Sequence, residues 1–233
     1  MTAPRIAALV VGPGGSHEAV EAQAPGAAAH PGPWPQALLA AADADWLWLV
    51  RGDTVPAAGA LSELRRVAEG VPGLRPPALL ASKVIGVDGR LDPGSAPWPP
   101  LHDRAGAMNA AEHRLAAVRI ARWGSLLVRG DVLRRHAPPR EDLAAADDLE
   151  WTGRLLREEP GYVVPTSLAT RAPSARPSRL ATLRAAASRD AWDTQERLWL
   201  VYASLLEGSR PSPSRNARTI VDRLSRLPRL VRR

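Results

Sequence analysis

The stretch DWLWLVRGDTVPAAGALSELRRVAE, Asp45 to Glu69, decides the fold. Trp46-Leu47-Trp48-Leu49-Val50 is an unbroken apolar run. It reads as a strand buried on both faces, the pattern of a sheet covered by helices on each side. The run stops at Arg51-Gly52-Asp53. Pro56 then suits the first turn of a helix, and Leu61, Leu64, Val67 and Ala68 make one stripe on it. A strand that ends in an acid is either ordinary turn chemistry or the rim of a site, because ligands of open α/β sheets bind outside the carboxyl ends of the strands. On these residues alone the two readings stand level. Asp53 caps the turn, or it holds a divalent cation that neutralises a diphosphate.

Outward from that stretch the same alternation recurs. Ile6 to Val11 is a strand leading into Gly12-Pro13-Gly14-Gly15, and Ser16 to Pro35 reads as a loop with one helical turn. Gln36 to Ala42 reads as helix and Pro77 to Val84 as a third strand. Val87 to Arg90 is an Asp-Gly turn. Leu91 to Asn109 reads as irregular, Arg119 to Val128 as strand, and Asp131 to His136 and Ala144 to Glu158 as helices. Gly161 to Pro165 is a short strand and Pro173 to Pro177 a linker. Helical patterns follow at Leu180–Ser188, Thr194–Leu206 and Ala217–Leu227. The expected class is α/β, with a mainly parallel sheet flanked by helices and a C-terminal helical appendage. The expected division is a core over 1–175 and a helical segment over 176–233.

The 233 residues are 45% hydrophobic, enough for a sizeable core. There is no cysteine, which excludes disulfides, thiol chemistry and Cys-based zinc sites. The net charge of +7 gathers in the Arg-rich stretch from Arg176 to Arg233. No nucleic-acid motif accompanies it, so the charge reads either as a solvated basic face or as a surface for phosphate-bearing or anionic-lipid partners. No signal peptide is legible and no stretch approaches the ~20 apolar residues of a membrane helix. The chain reads as cytoplasmic, with peripheral contact at the inner face of the cell membrane open through the basic C-terminus.

A second constellation is AADDLEWTGRLL, Ala145 to Leu156. Asp147, Asp148 and Glu150 crowd the first turn of a helix, where the helix dipole and free N–H groups favour acids. That placement explains them structurally. It also suits a general base facing a cleft. Trp151 shares a face with Asp147 and Asp148, and reads either as a sugar-stacking ring or as a core aromatic.

Taken in order, DWLWLVRGDTVPAAGALSELRRVAEG, LLASKVIGVDGRLDPGS, RIARWGSLLVRGDVL with DDLEWTGRLL, and GYVVPTSLATR resemble the glycosyltransferase family 2 pattern. They are most similar to actinobacterial rhamnosyl- and galactofuranosyl-transferases, and DTQERLWLVYAS resembles a helical segment of that group. The resemblance covers most of the chain from Pro35 to Tyr202. It implies a nucleotide-sugar-binding fold of the glycosyltransferase A type. It further implies inverting transfer of a sugar from a nucleotide-diphosphate donor to a glycan or lipid-linked acceptor, in cell-wall or surface-polysaccharide assembly. It maps the metal-binding acid to Asp53 and the base to Asp148, with Asp147 beside it. Trp123, Trp151 and Glu150 fall on the acceptor side.

The sequence departs from that pattern. Arg51 stands where the family carries the first acid of its metal motif, and Arg171 where it often carries a histidine. Together with Asp53 these arginines are expected on the donor diphosphate, and a cation (Mn or Mg) is expected only if they leave room for it. Gly12 to Pro35 is expected to be too short for the family's second strand. The alternative is a degraded glycosyltransferase-like protein that serves as a partner or scaffold.

Overall fold

A computed structural model describes residues 4–12, 14–30, 43–92, 95–140, 147–171 and 179–207. One eight-stranded mixed sheet runs through them. Its strands are β1 (Ile6–Val11), β2 (Ala28–His30), β3 (Trp46–Arg51), β4 (Thr54–Pro56), β5 (Leu79–Gly86), β6 (Ala116–Val118), β7 (Ser125–Arg129) and β8 (Gly161–Arg171). The helices are α1 (His17–Glu21), α2 (Ala60–Ala68), α3 (Arg104–Glu112), α4 (Gly130–Arg135), α5 (Asp147–Leu155), α6 (Arg179–Ala186) and α7 (Thr194–Glu207). The strand order is β2-β1-β3-β7-β5-β8-β4, with β6 also on β8.

The α/β class read from the sequence is what folds, with helices on both faces of the sheet. Its pairing is more mixed than the alternation suggested. β1 is parallel to β2 and β3, and β5 to β8, whereas β7 runs antiparallel between β3 and β5, and β4 and β6 run antiparallel to β8. The apolar run of β3 behaves as its composition requires. Leu47 and Leu49 face a core shared with Val132 of α4 and with Trp151 and Leu155 of α5. Trp46, Trp48 and Val50 face a second core shared with Val20, Leu61, Leu64 and Val67. The polar side chains buried between β3, β5, β7 and β8 pair with one another. Trp48 Nε1 donates to Ser125 Oγ at 3.0 Å, and Ser82 Oγ lies 2.8 Å from both Ser125 Oγ and Ser167 Oγ.

Several expectations are corrected. A second strand does form after β1: β2 is three residues long and parallel, in register from Leu9↔Ala28 to Val11↔His30. The helix expected from Pro56 begins at Ala60, because Thr54–Pro56 extends the sheet as β4. The strand expected to stop at Pro165 continues to Arg171. The register against β5 shifts between Ser82 and Lys83, so 165–167 bulge out of the ladder. A bulge is one of the few places where a sheet tolerates proline. The irregular reading of Leu91–Asn109 missed α3, which Asp103 caps by accepting from Gly106 N at 2.8 Å.

α6 and α7 pack on α5 through Leu149, Ala185, Ala186, Ala191, Trp192 and Leu200. Arg119 stitches them down: its Nε is 2.6 Å from Glu196 Oε1, it donates to Ala191 O, and it lies over the Trp192 ring. The expected helix at Gln36–Ala42, the linker at Pro173–Pro177 and the helix at Ala217–Leu227 lie outside the described residues. Among the described residues no helix is long and apolar enough to cross a membrane.

Candidate functional site

Arg51 is the last residue of β3, and Asp53 follows it into β4. β4 pairs with the far end of β8 in the register Thr54↔Arg171. That single pairing brings residues from the carboxyl ends of two strands to one place. Asp53 accepts from Arg171 Nε at 3.2 Å and Nη2 at 3.1 Å, both on Oδ2. Arg51 Nε approaches Oδ1 at 3.1 Å. Asp53 is thus bracketed by two guanidinium groups. Arg171 is buried at 3% exposure, while the Arg51 side chain is 44% exposed.

Arg171 is anchored on its inner side as well. Its Nη1 donates to Ser95 Oγ at 3.0 Å and to Trp123 O at 3.4 Å, and lies 3.8 Å from Asp92 Oδ2. Ser95 in turn donates to Asp92 at 2.6 Å. The backbone of Trp123 carries the connection onward, since its N–H donates to Asp148 Oδ2 at 3.1 Å. Asp53 and Asp148, distant in sequence, therefore belong to one hydrogen-bonded chain through Arg171 and Trp123.

Asp148 is held in the first turn of α5. It takes Arg122 Nε at 2.8 Å, and the pair is nearly enclosed, at 4% and 11% side-chain exposure. Asp147 opens α5, and its side chain lies outside the described residues. Glu150 points elsewhere. It pairs with Arg154 at 2.8 Å and accepts from Ser188 Oγ at 3.1 Å, so it ties α5 to the turn that follows α6. Trp123 and Trp151 stack on each other with centroids 4.9 Å apart, at 4% and 1% exposure. Trp123, Trp151 and Glu150, expected on the acceptor side, are thus engaged in packing or in an ion pair.

The donor set does not fit a divalent cation. Both oxygens of Asp53 face arginine nitrogens, and among the described residues no three His, Asp or Glu side chains gather as ligands. The charges close on themselves, with Arg51 and Arg171 on Asp53, Arg171 also near Asp92, and Arg122 on Asp148. Sequence reasoning missed Asp92, Ser95 and Arg122. The first two sit within the quoted DGRLDPGS stretch, but their contact with a residue at position 171 leaves no spacing signal.

No family model matches the sequence, and no curated protein matches it. Solved structures do match in shape. The structure of S. aureus TarS 1-349 in complex with UDP-GlcNAc aligns at a TM-score of 0.54 and 13% identity, over 86% of this chain and 71% of that one. S. aureus TarS 1-349 aligns at 0.53 and 11%, over 86% and 70%. At such identities the likeness concerns the fold alone. The fold is mixed α/β, of the kind seen in those two structures.

Proposed function

We propose that this chain is a glycosyltransferase of the family 2 kind. It takes a hexosyl or pentosyl group from a nucleotide-diphosphate donor, transfers it with inversion to a glycan or lipid-linked acceptor, and works without a divalent cation. The observation that carries this reading is the chain Asp53–Arg171–Trp123–Asp148, which joins the two carboxylates expected at donor and base in one place at the carboxyl end of the sheet. Arg51 supplies the exposed cation for the diphosphate, and a guanidinium can meet phosphate oxygens through two parallel donors. Arg171 fixes Asp53 from beneath. Asp148, once Arg122 gives up its carboxylate, removes the acceptor hydroxyl proton. The acceptor oxygen then bonds to the anomeric carbon from the face opposite the nucleotide. The sugar–phosphate C–O bond breaks, and its electron pair leaves on the diphosphate beside Arg51.

A second reading is favoured by the Arg122–Asp148 pair. A base neutralised by an enclosed guanidinium is what a non-catalytic partner or scaffold on this fold would retain for stability alone. Incubation with common nucleoside diphosphate sugars, in EDTA and in millimolar manganese, separates the two. A rise in Tm together with release of nucleoside diphosphate supports transfer. A rise without turnover supports the second reading, and no shift with any donor removes the transferase reading.

A further inference from the structure

Arg119, Arg122, Arg154 and Arg171 are nearly enclosed beside carboxylates, none above 11% side-chain exposure. Three of them place both Nη nitrogens on protein oxygens. Arg119 donates to Gly153 O and Ala191 O, Arg154 to Ala137 O and Pro138 O, and Arg171 to Ser95 Oγ and Asp53. Arg122 differs. Its Nε donates to Asp148 Oδ2 at 2.8 Å, and among the described residues neither of its Nη nitrogens has a partner. They are not sealed orphans either, since among the described residues the buried side-chain polar atom left without a bond is Ser16 Oγ. A half-used fork therefore opens beside the carboxylate expected to act as base.

The surroundings are fixed without that guanidinium. Thr152 Oγ1 donates to Ala121 O at 2.9 Å, and Trp123 N donates to Asp148 Oδ2 at 3.1 Å, so the backbone on each side of Arg122 is tied to α5. Leu149 N donates to Asp148 Oδ1 at 2.8 Å. When the guanidinium leaves, the carboxylate keeps these backbone donors and its place. Only one side chain has to move.

What it moves onto follows from charge. An enclosed guanidinium stripped of its carboxylate and offered only a neutral hydroxyl is a stranded charge, which is strongly unfavourable. A second oxyanion restores the pairing, and a guanidinium meets phosphate or carboxylate through two parallel donors. We propose that Arg122 reads the acceptor: its Nη pair binds a phosphate or carboxylate carried beside the reacting hydroxyl, and that contact draws the guanidinium off Asp148. The acceptor is an acidic sugar, and it unlocks its own base. This assignment deepens the transferase reading and rests on it for the role of Asp148.

The test follows the Arg122 Nε–H resonance of the full-length chain, assigned through its own backbone, as glucose 6-phosphate, glucuronate or glucose is titrated in. The two anions are expected to shift it saturably and glucose to leave it unmoved, in wild type and in Arg51→Ala alike. Arg122→Lys keeps a charge for Asp148 but has no fork, and it should weaken anion binding by about tenfold. In transfer assays kcat/KM should favour the anionic acceptors over glucose by about tenfold or more, and Arg122→Lys should erase that preference. A resonance unmoved by either anion overturns the assignment, as does equal kcat/KM for glucose. A shift produced by uridine diphosphate alone also overturns it, because Arg122 would then answer the donor. Anion binding at Arg122 without transfer to any acceptor supports the oxyanion site and overturns the transferase reading, so the two failures are told apart.

Discussion

Arg171 grips Asp53 with two nitrogens on a single carboxylate oxygen, at 3.2 and 3.1 Å, from 118 residues further along the chain. Arg51 holds the other oxygen. In a cation-dependent transferase an acid at this place holds the metal, and losing it abolishes donor binding. On the proposed reading the acid competes with the donor diphosphate for two guanidinium groups. Asp53→Asn should therefore tighten nucleoside diphosphate binding several-fold, while Arg51→Ala weakens it by about tenfold. Titration calorimetry in EDTA reads both. Weakened binding in Asp53→Asn would sink the arginine-for-metal reading.

The same pairing predicts indifference to metal. Manganese titrated into the protein should give no saturable site in electron paramagnetic resonance. Donor binding should have the same Kd in EDTA and in millimolar manganese. A bound manganese signal that Asp53→Asn removes would show that the guanidinium groups yield to the cation.

Asp148 and Glu150 form a matched pair of probes, since each is an enclosed carboxylate with an arginine partner. Removing one charge from such a pair strands the other, at a cost of about 3 kcal/mol. Asp148→Asn and Glu150→Gln should both lower the urea midpoint by a comparable amount. Only Asp148→Asn should also lower turnover, by about 100-fold or more. Equal turnover in the two variants, measured below both Tm values, would reduce Asp148 to a structural role.

Those probes also mark how far the sequence could be read. β3 was legible because burial on both faces writes itself as an uninterrupted apolar run. The strand-end charges Arg51, Asp53 and Arg171 were legible as a set, since the resemblance placed them near one donor. Their pairing was not, because it depends on β4 lying against the far end of β8, and Pro165 hides the second half of β8 from any strand pattern. α3 was hidden for another reason: of RAGAMNAAE only Ala110 is buried, so no apolar stripe announces it. The Arg122–Asp148 lock joins residues 26 positions apart, and no periodicity records such a contact.

The bulge in β8 has a measurable consequence at its outer edge. Thr166 Oγ1 donates to Glu63 Oε2 at 2.7 Å, which ties α2 to the bulge, and this bond with the nearby Arg66 holds the Glu63 carboxyl below its usual range. A carboxylate with a depressed folded pKa adds stability above its unfolded pKa of about 4.3, and that stability is lost as pH falls through the folded value. In Thr166→Val the Glu63 pKa should rise toward the ordinary value in an NMR titration. The stability difference from wild type should be present at neutral pH and vanish in acid. An unmoved Glu63 pKa would mean that the hydroxyl does not hold the carboxylate in solution.

The glycine loop after β1 sets the floor beside Asp53. Gly14 has φ +148°, and a Cβ there would overlap the carbonyl oxygen of Gly52, the residue next to Asp53. Gly52 N also donates to Val11 O at 2.8 Å, so neither backbone can retreat without breaking the β1–β3 junction. Gly14→Ala must therefore displace the turn that carries Arg51 and Asp53. It should cost about 1–3 kcal/mol in urea denaturation and weaken nucleoside diphosphate binding at the same time. Gly15→Ala is the control, because a Cβ there meets nothing within 4 Å, and it should leave both measurements unchanged. If Gly14→Ala lost stability but kept full nucleotide affinity, the diphosphate would have to bind away from the Arg51–Asp53 turn, and the donor site would have to be sought on another edge of the sheet.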